Sequence, residues 1–280
     1  MYEILARIVL VVVSLHVLGA VFIVGKKRLF ALRGDWLRRL REVLPVVLIL
    51  AAALLTNNYV RQVGPDISWT IGIEITDTLF QLEGEFVVWL QSFATTPTTV
   101  YFSYMYVYGY AFLLTFPLVA YFAYSDTSPV RTLLSAYLFN YAIGLVVYLL
   151  IVAYGPRNIL PHAVEPLLYA GFPEYQHLTR QVNRSTNVFP SLHTSLSMTV
   201  LFMAIRTRDV LPRWLPVAAV FALSIVFSTM FLGIHWASDV VAGIVLAAMS
   251  VALGVVVVER KYRRLFTLAA EIRQYFRPSV

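Results

Sequence analysis

Apolar residues in this chain come in blocks of about twenty, the length that an α-helix needs to cross a hydrocarbon layer of about 30 Å. Hydrophobic residues make up 59% of the 280 residues and charged residues only 13%, which is too apolar for a soluble domain. The pattern therefore predicts an all-α fold, a polytopic membrane helix bundle.

Hydropathy predicts about seven transmembrane helices, near residues 3–24, 43–58, 100–124, 131–154, 191–206, 213–234 and 238–258. We divide the chain into an N-terminal region (1–99), a helix bundle that carries the chemistry (100–258) and a basic cytoplasmic tail (259–280). The N-terminal region holds two spans, a basic interfacial segment at 26–42 and an amphipathic connection at 66–99.

Lysines and arginines predict the orientation, because basic segments resist translocation across the membrane. Seven lie within 26–42, one is Arg131, three lie within 206–213 and six follow residue 259, which places 17 of the 22 on the cytoplasmic side of a cell membrane. The formal charge of +7 then reflects membrane orientation and lipid headgroups, so no nucleic acid is expected as a partner. The long connections 59–99 and 155–190 lie outside, where loops that carry function are expected.

Polar residues gather at the predicted outer ends of three spans, at 154–157, 189–195 and 228–239. Such groups are costly beside membrane helices and usually serve a function. His235 and Asp239 are four residues apart, which stacks both side chains on one helix face. The carboxylate can then accept the imidazole N–H, fix the tautomer and make the other ring nitrogen a better nucleophile.

The second polar segment has the features of a phosphate site. His193 opens its helix near free backbone N–H groups and the positive end of the helix dipole, which favour a phosphate. Ser191 can donate a hydrogen bond, and Arg157 offers a planar guanidinium that matches phosphate oxygens. Together these residues predict a phosphate site flanked by two imidazoles on the outer face.

The residues that several other reaction types require are absent from the sequence. The absence of cysteine excludes thiolate metal sites and cysteine nucleophiles. The sequence has no phosphate-binding glycine loop and no H-E-x-x-H zinc motif.

Asn140, within the fourth span, is expected to form interhelical hydrogen bonds. Five tyrosines in the outer half of the third span predict an aromatic belt or the lining of a lipid groove: Tyr101, Tyr104, Tyr106, Tyr108 and Tyr110.

The run Pro190-Ser191-Leu192-His193, followed by His235-x3-Asp239, resembles the type 2 phosphatidic acid phosphatase superfamily. The pattern of that family is K-x6-R-P, then P-S-G-H, then S-R-x5-H-x3-D, and the last two motifs match in order and spacing. The resemblance covers roughly residues 100–258. It implies a helical-bundle lipid phosphatase or phosphotransferase that works without a metal or another cofactor.

The resemblance also implies roles for the polar residues. His235 would attack phosphorus to form a phosphohistidine, Asp239 would orient it, and His193 would protonate the departing oxygen. Arg157 and Ser191, with the backbone at Leu192, would hold the phosphoryl oxygens as charge develops.

This sequence departs from the family pattern in its first and third motifs and at one glycine. The lysine of the first motif is absent, Leu192 replaces a glycine, and Thr229 stands where the third motif has an arginine. Arg157 follows a proline, whereas the arginine of the family precedes one. Arg180 and Arg184, in the outer loop before the second motif, are candidates to replace the missing cations.

The residues are compatible with two enzymatic functions and one non-enzymatic function. The first is hydrolysis of a lipid phosphate or diphosphate ester. The second is transfer of a phospho-headgroup to a lipid alcohol, because loss of the motif arginine resembles the branch related to inositol phosphorylceramide synthase. The third is a lipid transporter or scramblase that binds headgroups without catalysis. Each would act on an amphiphilic lipid phosphate among membrane lipids.

Overall fold

A computed structural model describes residues 2–172 and 188–275, and most of them are helical. The bundle is built from α1 (Tyr2–Gly19), α2 (Lys26–Ile71), α3 (Thr76–Glu83), α4 (Phe86–Gln91), α5 (Thr96–Tyr104), α6 (Tyr110–Phe122), α7 (Ser128–Leu150), α8 (Pro156–Ile159), α9 (Leu167–Gly171), α10 (Leu192–Arg206), α11 (Trp214–Phe231) and α12 (Ala237–Tyr275). The predicted all-α helix bundle is confirmed.

Four short elements complete the described chain. Two π-helical turns, Ala20–Val24 and Met105–Gly109, follow α1 and α5. Two short parallel strands, β1 (Ile73–Glu74) and β2 (Ile151–Val152), pair where α2 and α7 end. The strands tie the connection after α2 to the segment that carries the first motif.

Local sequence signals explain where several helices begin. Thr95 and Thr98 form a capping box at the start of α5, each side chain accepting the backbone N–H of the other. Ser191 caps α10, because its Oγ accepts the backbone N–H of Thr194 at 3.3 Å. Gly25 has a φ of 84° at the junction before α2, a backbone conformation that favours glycine.

In the part of the chain that the structure describes, six helical stretches are long and apolar enough to cross a membrane: Ile4–Val24, Lys26–Val60, Thr96–Phe122, Ser128–Leu150, Trp214–Phe231 and Ala237–Arg260. The protein is therefore an integral membrane protein. Each stretch corresponds to one predicted span. The remaining predicted span, residues 191–206, corresponds to α10, which has 15 residues. At 1.5 Å per residue, α10 is about 22 Å long and shorter than the hydrocarbon core.

Helix α10 lies inside the bundle, in contact with α6, α7, α11 and α12. Every residue from 194 to 201 is buried, including several serines and threonines that lower the hydropathy of this segment. The side chain of Asn140, on α7, donates to Thr199 Oγ1 at 2.9 Å and accepts from Ser195 Oγ. The predicted interhelical role of Asn140 is confirmed, and two hydroxyls of α10, those of Ser195 and Thr199, bond to the neighbouring helix α7 instead of facing lipid.

Helix α2 differs from the prediction, which separated an interfacial segment at 26–42 from a span at 43–58. The structure has one continuous helix of 46 residues. Charged side chains at the boundary are paired: Arg38 donates to Glu42 at 2.7 Å, and Glu42 accepts from Thr127 at 2.6 Å. Arg39 is buried and donates to the Phe122 carbonyl oxygen at 3.1 Å. Because these partners satisfy the charges, the helix continues from the basic segment into the apolar one.

The amphipathic connection predicted at 66–99 contains two short helices, α3 and α4. Gly84, with a φ of 53°, separates them. Leu79 and Val87 are buried against the bundle, whereas Leu82 and Trp89 are exposed. The connection thus lies against the bundle, as its alternation of apolar and polar residues predicted.

Candidate active site

Backbone hydrogen bonds join the three polar segments at one end of the bundle. The amide of Ser191 donates to the carbonyl of Asp239 at 3.1 Å, which ties the start of α10 to the first turn of α12. The amide of Arg157 donates to the carbonyl of Gly233 at 3.3 Å. We call this end the motif end (residues 151–157, 188–193 and 231–239). The opposite end, with the turns 123–127 and 207–213, is the basic end.

His235 and Asp239 form a buried pair at the start of α12. The Nδ1–H of His235 donates to Asp239 Oδ2 at 3.2 Å, and the same oxygen accepts the backbone N–H of Trp236 at 2.9 Å. Asp239 is fully buried and His235 is 7% exposed. An ionised carboxylate can only accept, so beside Asp239 the proton belongs on Nδ1, and the lone pair of Nε2 is then available to attack an electrophile.

The turn before His235 has a shape that requires glycine. Gly233 has a φ of 73°, and a Cβ there would lie 2.7 Å from Val164 Cγ1. The amides of Ile234 and His235 both donate to the carbonyl of Thr229, at 3.1 and 3.0 Å. The turn therefore holds the backbone of His235 against the end of α11.

Two tyrosine rings bracket His193. The imidazole stacks on Tyr106, with ring centroids 4.4 Å apart and planes at 19°, and its centroid lies 4.3 Å from that of Tyr110. Both tyrosines belong to the π-helical turn or begin the helix after it, and π-helical turns are frequent at functional sites. Of the two predictions for these tyrosines, an aromatic belt or the lining of a lipid groove, the belt is wrong for Tyr106 and Tyr108, which are buried, whereas Tyr101 and Tyr104 are exposed.

Arg157 lies in the first turn of α8, with its guanidinium carbon 5.1 Å above the ring of Tyr169. Its Nη1 is buried and has no hydrogen-bond partner among residues 2–172 and 188–275. A buried guanidinium N–H without an acceptor is costly, and an anion is the group that it accommodates best.

Ser191 and Leu192 lie where α10 begins. Ser191 is fully buried and uses its Oγ lone pair to cap the helix, so its hydroxyl proton can be donated elsewhere. Leu192, which replaces the family glycine, packs its side chain toward α7. A Cβ on Gly144 would lie 2.8 Å from Leu192 Cδ2. The bulk of Leu192 is therefore accommodated by a glycine on the neighbouring helix.

Thr229, at the position of the motif arginine, faces its own helix. Its side chain is fully buried, and Oγ1 donates to the carbonyl of Val226 at 2.7 Å. The hydroxyl therefore replaces neither the charge nor the reach of a guanidinium. Arg180 and Arg184, the candidates to replace the missing cations, lie outside the described residues.

Two side chains of the amphipathic connection reach the motif end and were not predicted. The carboxylate of Glu83 accepts the backbone N–H groups of Ala237 and Ser238, at 2.7 and 2.6 Å. The side-chain amide of Gln91 donates to the carbonyl of Phe231 at 3.0 Å. No local pattern marks either residue, because their partners lie 140 or more residues away along the chain.

Comparison with protein families matches residues 77–253 to a family described as the PAP2 superfamily. The matched region is more than half of the chain and contains all three polar segments. The chain belongs to the PAP2 superfamily. This is the type 2 phosphatidic acid phosphatase superfamily that the two motifs predicted. Comparisons with curated proteins and with solved structures found no match.

Membership in the PAP2 superfamily defines the general activity. The protein is a phosphatase-like lipid phosphoesterase embedded in a membrane. The family match begins at residue 77 and so includes α3 and α4, which our division of the sequence assigned to the N-terminal region.

Proposed function

We propose that this protein hydrolyses a phosphate or diphosphate ester of an amphiphilic lipid through a phosphohistidine intermediate. The observation that carries the proposal is the buried His235–Asp239 pair, hydrogen-bonded through its backbone to the start of α10. A histidine whose Nδ1–H is held by a carboxylate is suited to nucleophilic attack through Nε2.

In the first step, the Nε2 lone pair of His235 attacks phosphorus, and the bond from phosphorus to the ester oxygen breaks. Asp239 stabilises the positive charge that forms on the imidazole ring. The imidazolium of His193 gives its proton to the departing oxygen. The faces of Tyr106 and Tyr110 favour a cationic imidazole there, as aromatic faces do for other cations.

In the second step, water attacks the phosphohistidine and His193 removes a proton from that water. The bond between phosphorus and Nε2 breaks, which releases phosphate and restores neutral His235. Arg157, the hydroxyl of Ser191 and the backbone N–H at Leu192 hold the phosphoryl oxygens in both steps. The mechanism uses no metal or other cofactor.

The orientation of the bundle supports an active site on the extracytoplasmic side. Most lysines and arginines belong to segments at the basic end, which the positive-inside rule assigns to the cytoplasm. The motif end then faces the outer leaflet, and its ligand is a lipid phosphate presented there. Membrane lipids are the partners expected from the exposed apolar surface of α1, α2 and α12.

A second candidate function is transfer of a phospho-headgroup to a lipid alcohol. The observation that favours it is the conformation of Thr229, which supplies no cation where the family has one. A site with fewer cations suits a singly charged phosphodiester better than a doubly charged monoester. In that case the alcohol takes the place of water in the second step.

The test is incubation of purified protein in detergent with a panel of labelled lipid phosphates, with and without a lipid alcohol. Free phosphate is the product expected from hydrolysis, and a new labelled lipid is the product expected from transfer. His235→Ala should lower turnover by about 1000-fold or more, because the nucleophile is lost. The matched control is His162→Ala, since His162 is exposed and lies outside the three motifs.

The outcomes separate the candidates. Intact lipid in every incubation with wild-type protein would remove both enzymatic functions and favour a transporter or scramblase. Wild-type turnover by His235→Ala would show that another group is the nucleophile. A phosphoprotein formed by the wild type and absent from His235→Ala supports the phosphohistidine.

A further inference from the structure

Glu83 makes the longest-range polar contact to the start of α12. It is the last residue of α3, in a part of the chain that carries none of the three motifs. Its two carboxylate oxygens accept the N–H groups of Ala237 and Ser238, at 2.7 and 2.6 Å. The first N–H groups of a helix have no partner within the helix, so these two depend on Glu83.

The two N–H groups lie between His235 and Asp239 in the chain. Asp239 itself takes the preceding N–H, that of Trp236. Two carboxylates, one local and one from α3, therefore satisfy three consecutive backbone donors. We infer that Glu83 is a positioning residue for the His235–Asp239 pair, an inference that rests on the proposed function.

The element that carries Glu83 is itself held firmly. Leu79 packs in one apolar cluster with Trp236, and the ring of Phe80 lies 6.4 Å from the Trp236 ring. The indole N–H of Trp236 donates to the carbonyl of Tyr154 at 2.8 Å, and the amide of Tyr154 donates to Thr76 Oγ1 at 3.0 Å. Helix α3 thus links the first motif to the start of α12. Glu83, at the end of α3, bonds to the backbone between the two residues of the catalytic pair.

The charge of Glu83 has a second consequence. The N-termini of α10 and α12 lie at the motif end, and each is an attractive place for an anion. The Glu83 carboxylate occupies the start of α12, whereas the neutral side chain of Ser191 caps α10. The phosphate is therefore directed to α10, and the start of α12 is reserved for positioning the nucleophile.

The experiment measures kcat and KM of the full-length protein in detergent on the lipid phosphate that the wild type turns over best. Glu83→Ala should lower kcat by about 100-fold, the typical result of a displaced catalytic group, with KM changed less than about 2-fold. Glu83→Gln keeps one acceptor and loses the charge, so its kcat should fall by about 10-fold. Glu85→Gln is the matched control, because Glu85 is exposed two residues away and should keep wild-type kcat.

A double-mutant cycle distinguishes positioning from general support of the fold. If Glu83 acts through the catalytic pair, Glu83→Gln combined with Asp239→Asn should lower kcat little more than Asp239→Asn alone. Melting temperatures of the Gln variant and the wild type should agree within a few degrees. If Glu83→Ala does not fold, the Glu83→Gln variant and the double-mutant cycle with Asp239→Asn still test the inference.

Three results would overturn the inference: wild-type kcat in Glu83→Gln, a loss confined to KM, or full additivity with Asp239→Asn. These differ from failure of the proposed function, which is a wild-type protein without turnover on any lipid phosphate and which would remove both. If the wild type turns over normally and the Glu83 variants are as active as the wild type, only the positioning role is removed.

Discussion

At the scale of single residues, the arginines of this protein differ in what their side chains contact. At the basic end, Arg38 pairs with Glu42 at 2.7 Å and Arg206 with Glu259 at 2.9 Å. Arg157, at the motif end, contacts an aromatic ring and keeps a buried Nη1 without an acceptor in the described part of the chain. The arginine–glutamate ion pairs at the basic end are structural contacts, whereas the environment of Arg157 suits an anionic ligand.

Arg157→Lys should therefore lower kcat/KM for a lipid phosphate by about 10- to 100-fold. Lysine keeps the charge but loses the planar pair of donors and the stacking on Tyr169. The measurement is steady-state turnover in detergent. Arg208→Lys is the control, because Arg208 is exposed at the basic end, and its turnover should equal that of the wild type. Equal kcat/KM in Arg157→Lys would mean that the guanidinium does not bind the phosphate.

At the scale of helices, the site depends on how closely α12 approaches α10. A Cβ added to Gly243 would lie 2.6 Å from the carbonyl oxygen of Ser191 and 3.1 Å from Thr194 Cβ. The carbonyl belongs to backbone and cannot rotate away. A glycine at this position lets the beginning of α12, which follows His235, lie close beside the beginning of α10, which carries His193.

Gly243→Ala should separate α12 from α10, lowering the free energy of unfolding by about 1–3 kcal/mol as overpacking does. We expect a lower melting temperature in detergent together with reduced lipid phosphate turnover. The control is Gly34→Ala, because Gly34 lies within α2 with nothing within 4 Å of its Cβ position. That change should raise stability by about 0.5–1 kcal/mol through helix propensity. An unchanged melting temperature in Gly243→Ala would contradict the close packing.

At the scale of the whole molecule, the two ends of the bundle have different chemistry. The motif end collects the imidazoles of His193 and His235 and the Asp239 carboxylate, and α3 and α4 bond to it through Glu83 and Gln91. The basic end has short turns that bond to one another, for example Tyr124 Oη to the carbonyl of Val210 at 2.6 Å. The asymmetry, with the charge distribution, supports our proposal that the motif end faces the outer side.

The absence of cysteine makes this orientation directly testable, since any introduced thiol is the only one in the chain. Glu85→Cys, on the connection at the motif end, should react with a membrane-impermeant maleimide in intact cells. Asp209→Cys, in the 207–213 turn at the basic end, should react only after permeabilisation. The reverse pattern would place the active site in the cytoplasm.

Much of the fold could be predicted because the controlling signals are local. The apolar blocks predicted the long apolar helices, and the spacing of His235 and Asp239 predicted that their side chains would meet, although His235 lies in the turn before α12 and not on the helix face that was predicted. Local signals could not decide whether α10 is a lipid-facing span or a helix inside the bundle. Its hydropathy is diluted by hydroxyls whose partners, such as Asn140 on α7, lie in other helices. The continuous α2 was missed because two partners of its charged side chains, Phe122 and Thr127, lie more than 80 residues away along the chain.

The sequence by itself determined the membrane environment, the helix bundle, the family and the two histidine motifs, because each follows from periodicity or from residues close together in the chain. Only the tertiary structure decided that tyrosines of the third span bracket His193, that Glu83 holds the start of α12, and that Arg157 keeps a buried donor. The physical reason is distance along the chain. Helix packing brings these groups together, and no local pattern records which distant residue will fill a neighbour's space or accept its hydrogen bond.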